Sequence, residues 1–178
     1  MRTLLVGLDN PLSDDSTKAL LPIPERGSGG RIVELIEAGL KADGMAESYS
    51  VRDYLRDFHR VNLYPIRQAA TGKGATKLDR LMAQWCLMYA VVAGYQNIVL
   101  FGNRVRSAFA DIVELGAEDT LDCQIIDADW FERGHKIAFH TVPHPSGRNR
   151  FYNEPENCLL VGRRLADLRE RRNKERAT

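Results

Sequence analysis

Seven consecutive residues, His144-Pro145-Ser146-Gly147-Arg148-Asn149-Arg150, join an imidazole, a hydroxyl and two guanidinium groups to a rigid proline and a glycine. An imidazole can donate or accept a proton near neutral pH, and guanidinium groups hold phosphates and other anions in a planar fork. The apolar-rich run Ile137 to Val142 precedes them, so the pattern is a strand emptying into a loop that carries chemistry. Comparable polar residues stand at three other places: Asp9 and Asn10 behind Leu4 to Val6, Asn62 and Tyr64 at a second apolar run, and Asn103 and Arg104 behind Ile98 to Phe101.

The elements that must position these groups follow from periodicity and punctuation. Leu4 to Val6 reads as a buried strand stopping at Gly7, and Leu8-Asp9-Asn10-Pro11 as a turn, since Pro11 cannot extend a ladder. After a long polar loop, Ile32, Val33, Leu35, Ile36 and Leu40 recur at helical spacing, with Ser28 or a neighbouring glycine as cap. That glycine-rich helix start, flanked by Arg26 and Arg31, is a place for a phosphate, although no Gly-Lys-Ser or Gly-Lys-Thr makes it a P-loop. A short helix is expected over Val51 to Asp57 and a second core strand over Val61 to Tyr64. The segment Pro65 to Lys77, with Arg67 and Lys73, has turn composition.

The helix Leu78 to Ala93 is read as core, with Leu81, Met82, Trp85 and Met88 packing inward and Trp85 as packing rather than a stacking platform. Ile98 to Phe101 is the third strand, followed by a helix carrying Val105, Ala108, Phe109, Ile112 and Val113 on one face. Cys123 to Ile126 is an edge or extra strand, Ile137 to Val142 the fourth core strand, and about 159–176 a charged terminal helix. Strand, turn and helix in alternation predict a single domain over 1–178: an α/β fold with three α/β/α layers and a central, mostly parallel four-stranded sheet. In such sheets ligands sit at the carboxyl ends of the strands, where all four polar clusters fall.

Composition limits the partners. A formal net charge of +1 excludes a uniformly basic nucleic-acid binder while leaving room for local patches. Cys86, Cys123 and Cys158 are widely spaced and odd in number, which predicts free thiols in a reducing compartment and speaks against zinc or an iron-sulfur cluster. The apolar patch after Met1 is too short for a signal segment or membrane span. A soluble, cytoplasmic monomer without metal or other cofactor is expected.

The ordered motifs resemble those of the uracil-DNA glycosylase superfamily across nearly the whole chain. Asn10-Pro11 after a glycine-bearing strand is similar to its first motif and His144-Pro145-Ser146-Gly147 to its last. Between them, Arg60-Val61-Asn62-Leu63 resembles the segment that reads the base edge, and Leu100-Phe101-Gly102 the strand and glycine before the penultimate helix. The resemblance implies a DNA glycosylase that flips a uracil or modified pyrimidine out of single- or double-stranded DNA and hydrolyses its N-glycosidic bond, in DNA repair or phage defence. It implies that Asn10 positions the water with Asp9 beside it as the stronger base. His144, acting neutral, donates a hydrogen bond to the departing base, and Asn62, with Tyr64 nearby, binds it.

Relatives place an apolar wedge after the His-Pro-Ser, and Arg148 stands there in this chain, with Phe151 or Tyr152 as other wedges. Arg26, Ser28, Arg31, Lys73, Asn103, Arg104, Ser146 and Arg150 complete the expected DNA-binding set. Where one branch keeps a stacking phenylalanine, this chain has Glu25, so a pyrimidine with extra polar groups, contacted by Glu25 or Arg26, is the expected variation. No lysine lies among the matched residues to form a Schiff base, so the product is an abasic site without strand cleavage. A non-catalytic base- or DNA-binding module and a hydrolase of nucleosides or nucleotides are the alternatives on the same scaffold.

Overall fold

The computed structural model describes residues 2–9, 15, 18–22, 27–45, 48–64, 75–110, 112–113, 126–129, 136–145 and 149–176, with the side chains of 126–129 and 170–176 excepted. Among these residues five strands, β1 (Thr3–Gly7), β2 (His59–Asn62), β3 (Asn97–Phe101), β4 (Ile126–Asp129) and β5 (Lys136–Val142), form one sheet in the order β2-β1-β3-β5-β4. The first four in that order run parallel, and β4 joins as an antiparallel edge. This is the expected α/β architecture with one edge strand added. The β4 edge begins at Ile126, and Cys123 to Ile125 lie outside the described residues.

Among the described residues, five α-helices accompany the sheet: α1 (Ser28–Ala42), α2 (Val51–Asp57), α3 (Lys77–Val92), α4 (Asn103–Ala110) and α5 (Pro155–Arg176). Alternate strand residues feed the two faces, as a pleated strand requires. Leu5, Val99, Phe101 and Val142 pack with Ile32, Ile36, Val161 and Leu165 of α1 and α5. Leu4, Val6, Ile98, Leu100, Ile137 and Phe139 pack with Ala83, Leu87, Val105 and Phe109 of α3 and α4. β1 and β3 are buried on both faces, and after the polar first residues Thr3 and Asn97 their sequences are continuously apolar rather than alternating. α1 and α5 cross where a Cβ on Gly39 would stand 2.4 Å from the Gly162 carbonyl carbon, so backbones meet where side chains elsewhere intervene.

Several boundaries and one helix face differ from the sequence reading: α4 ends at Ala110, before Ile112 and Val113, and α5 starts at Pro155 rather than at about 159. β2 lies two residues earlier than expected and is an edge strand, and Leu63 and Tyr64 are buried beyond its end. On α3 the reading of the apolar face as core holds for Met82, which packs partly buried against the core, and is corrected for Leu81, Trp85 and Met88. Ala83, Leu87 and Ala90 are the buried apolar residues, whereas Leu78, Leu81, Trp85, Met88 and Val92 are exposed. The buried stripe is thus made of small alanines and one leucine, and the larger side chains point outward. Among the described residues no helix is long and apolar enough to cross a membrane.

Candidate active site

The parallel ladder brings the expected groups to one rim. Gly7 pairs with Asn62 and Phe101 with Val142, so β1, β2, β3 and β5 end side by side. Backbone pairing continues past the strands. The Leu63 N–H donates to the Gly7 carbonyl at 3.0 Å, the Tyr64 N–H to Leu8 at 3.0 Å, and the Gly102 N–H to Val142 at 2.8 Å. Asp9, Asn62, Asn103 and His144 therefore leave from adjacent strand ends.

Two glycines shape the floor of this rim. A Cβ on Gly7 would stand 2.4 Å from Asn62 Oδ1, so only a glycine lets that carboxamide sit over the strand end. Gly102 has φ +89°, and a Cβ there would stand 3.1 Å from His144 Cβ. The Asn62 Oδ1 atom is buried and has no hydrogen-bond partner among the described residues. An unmet buried acceptor costs about 1–3 kcal/mol, a cost relieved by any ligand that brings an N–H to it.

The His144 backbone is held by the segment that follows it. The Tyr152 hydroxyl donates to the Pro143 carbonyl at 2.7 Å, and Asn149 Nδ2 donates to the His144 carbonyl at 3.2 Å. Asn149 Oδ1 in turn accepts from the Phe151 N–H at 3.1 Å, capping the 3-10 turn Arg150–Asn153 that leads into α5. Burial pushes the His144 imidazole below its ordinary pKa, and the nearby Asp9 carboxylate opposes this without reversing it. The ring is thus neutral at pH 7, a form that donates from one nitrogen and accepts at the other.

This geometry corrects several expected DNA contacts. Tyr152 is buried and its hydroxyl is used on Pro143, so it is a brace for the loop instead of a wedge. Phe151 is half-buried against the α1–α5 core, edge-on to the Tyr152 ring at 5.1 Å, which leaves it little freedom to insert between bases. Arg104 and Tyr64 both converge on Asp79, a residue the sequence reading did not single out. Arg104 makes a two-pronged contact to that carboxylate at 2.9 and 3.0 Å, and the Tyr64 hydroxyl donates to it as well.

Asp79 also closes the capping box of α3, accepting from the Thr76 N–H at 2.7 Å. Its burial alone would raise the carboxyl pKa, but the bonds from Arg104, Tyr64 and Thr76 together hold it well below the usual carboxylate range. Burial and the Asp79 carboxylate raise the Tyr64 pKa. Arg104 and Tyr64 therefore tie α3 and α4 to the end of β2 and frame the rim, with Arg104 Nε and Nη2 and the Tyr64 hydroxyl bonded to Asp79.

The remaining expected residues divide by position. Gly27 caps α1 and Ser28 is its first residue, while Arg31 pairs with Glu34 at 3.0 Å on the surface. Asn103 and Arg150 are exposed at the starts of α4 and of the 3-10 turn. Asn10, Glu25, Arg26, Lys73, Ser146 and Arg148 lie outside the described residues. Asn149 and Gly102, whose positioning roles the sequence reading did not assign, have only weak local signals: an Asx motif before a short turn, and a glycine directly after a strand.

Fold and site together define a three-layer α/β/α protein whose polar site lies at the carboxyl ends of parallel strands and contains a neutral histidine, a carboxylate and a carboxamide. No protein-family model matches this chain, and no curated protein matches it either.

Proposed function

We propose that this chain is a monofunctional DNA N-glycosylase that hydrolyses the bond between deoxyribose and a flipped uracil or modified pyrimidine, leaving an abasic site. The observation that carries this reading is the meeting of Asn62, Asp9 and a neutral His144 at one strand rim. Breaking the C1′–N bond sends its electron pair to the base, so the reaction needs a donor at the base carbonyl and a water at C1′. His144 is the donor that stabilises the departing base as its charge develops. Water adds to C1′ and its proton passes to Asp9, with Asn10 orienting it.

Asn62 reads the base, and its buried, unmet Oδ1 is suited to a pyrimidine N–H. Among the described residues, the exposed Asn103 and Arg150 and the half-buried Arg31, which pairs with Glu34, are assigned to hold the DNA backbone, together with the basic residues outside the described segments. Extra polar groups on the base would meet Glu25 or Arg26. Incubation with oligonucleotides carrying uracil, hydroxymethylated or glycosylated pyrimidines, followed by alkali, tests the reading. Release of a base, lost in His144→Ala and Asn10→Ala variants that remain folded, supports it. Equal activity in those variants refutes the site, and turnover of free nucleosides but not oligonucleotides refutes the polymer as substrate.

A further inference from the structure

The outer face of α3 carries Leu78, Leu81, Trp85, Met88 and Val92, which are 51%, 47%, 62%, 54% and 87% exposed. Their spacing alternates three and four residues over the whole helix, the 3.5-residue period with which a helix meets another helix along a seam. Tyr89, also half-exposed, widens the stripe. The inner face is already occupied: Ala83, Leu87 and Ala90 pack in the core and Asp79 holds Arg104 and Tyr64. This single helix therefore has one face for its own domain and a second, larger-residue face turned away from it.

We propose that two copies of this chain pair through the outer faces of their α3 helices, antiparallel about a twofold axis near Trp85. Two features select a second copy. The first is size: six side chains, exposed by between 47% and 87%, present on the order of 600 Å² per copy, so a twofold pair removes on the order of 1,200 Å², the lower end of the area of a stable interface. A patch of this size at one place on a lone protein is at the upper limit of what monomers expose.

The second is charge. Lys77 and Arg80 are exposed at the amino end of α3, while its last turn contains no basic residue. Antiparallel pairing sets these cations beside the partner's carboxyl end, where the helix dipole is negative and otherwise uncompensated by the helix itself. Parallel pairing would set Lys77 and Arg80 against their own copies. In the antiparallel register Leu78 faces Val92 of the other copy and Trp85 faces its counterpart. A concavity of about 570 Å³, lined along the amino half of the helix by Lys77, Leu78, Arg80, Leu81 and Gln84, lies where the carboxyl half of the other copy would seat. This arrangement replaces the monomer expected from sequence, and it stands independently of the glycosylase reading.

Sedimentation equilibrium between about 1 and 100 μM tests the pairing. The wild-type chain sediments as a dimer, and Trp85→Glu and Val92→Glu each raise the dissociation constant at least tenfold with an unchanged circular dichroism spectrum. Both residues are solvent-facing, so neither change disturbs the core, and Val92→Glu serves should Trp85→Glu unfold. A wild-type monomer throughout that range overturns the proposal, as does a dimer indifferent to both substitutions. Orientation is read by mixing Leu78→Cys with Val92→Cys chains under oxidation and mapping the linked peptides by mass spectrometry. A 78-to-92 link supports the antiparallel seam, and a 78-to-78 link from Leu78→Cys alone overturns it.

Discussion

Replacing Gly102 by alanine separates a general strain cost from a specific disturbance of His144. Gly102 has φ +89°, and its new Cβ would stand 3.1 Å from His144 Cβ, where ordinary contacts lie at 3.4–4 Å. A left-handed backbone costs a non-glycine residue roughly 1–2 kcal/mol, and the methyl group must further push His144 by a few tenths of an ångström. Gly94 is the matched control, with φ +71° and nothing within 4 Å of its Cβ. Both variants should lose about 1–2 kcal/mol in urea unfolding. A 1 Å misplacement of a reacting group costs on the order of 10²-fold, so a shift of about half that size lowers base release by about tenfold in Gly102→Ala alone. Equal base-release rates in the two variants, at equal stability loss, would refute the argument that Gly102 sets the position of the imidazole.

Other changes probe the frame around the rim. Arg104→Ala leaves the buried Asp79 carboxylate without its two-pronged partner and should destabilise the fold by about 3–5 kcal/mol in urea titration; a loss below about 1 kcal/mol with weakened oligonucleotide binding would return Arg104 to the DNA surface. Tyr152→Phe removes the donor to the Pro143 carbonyl and should cost about 1 kcal/mol in stability, with a fall in kcat and little change in KM. Stability should also depend on pH in two windows. His144 has a folded pKa below its ordinary 6.5, so the unfolded chain takes up that proton first. Its effect is absent at neutral pH, and stability falls as pH drops below about 6.5, a slope that His144→Gln removes. Asp79 has a folded pKa below its ordinary 3.8, so its contribution is present above that value and lost as pH falls below it, a second slope absent in Asp79→Asn.

The sheet and the rim were legible because strand ends are marked locally. Gly7, Gly102 and Pro143 each stop an apolar run, and parallel strands put whatever follows on one side. The start of β2 was less legible: Leu63 and Tyr64 are as apolar and buried as strand residues, and only the ladder shows that pairing in β2 runs from His59 to Asn62. The roles of Arg104, Tyr64 and Asp79 could not be read, since residues 15 and 25 positions apart meet only after folding. Nor could the facing of α3, where Ala83 and Ala90 are buried and Trp85 points outward. Helical period marks a stripe, and it does not tell whether the domain or another molecule covers it.

The proposed function assigns cleavage of an N-glycosidic bond in DNA to the Asp9, Asn62 and His144 cluster. Its most direct test is single-turnover release of base from the preferred oligonucleotide by wild-type and His144→Ala proteins at pH 7.5. The expected result is free base and an alkali-labile abasic strand with the wild type, and a rate lower by about 10²- to 10³-fold with His144→Ala at unchanged stability. Release of no base from any pyrimidine substrate, or an undiminished rate in His144→Ala, would contradict it.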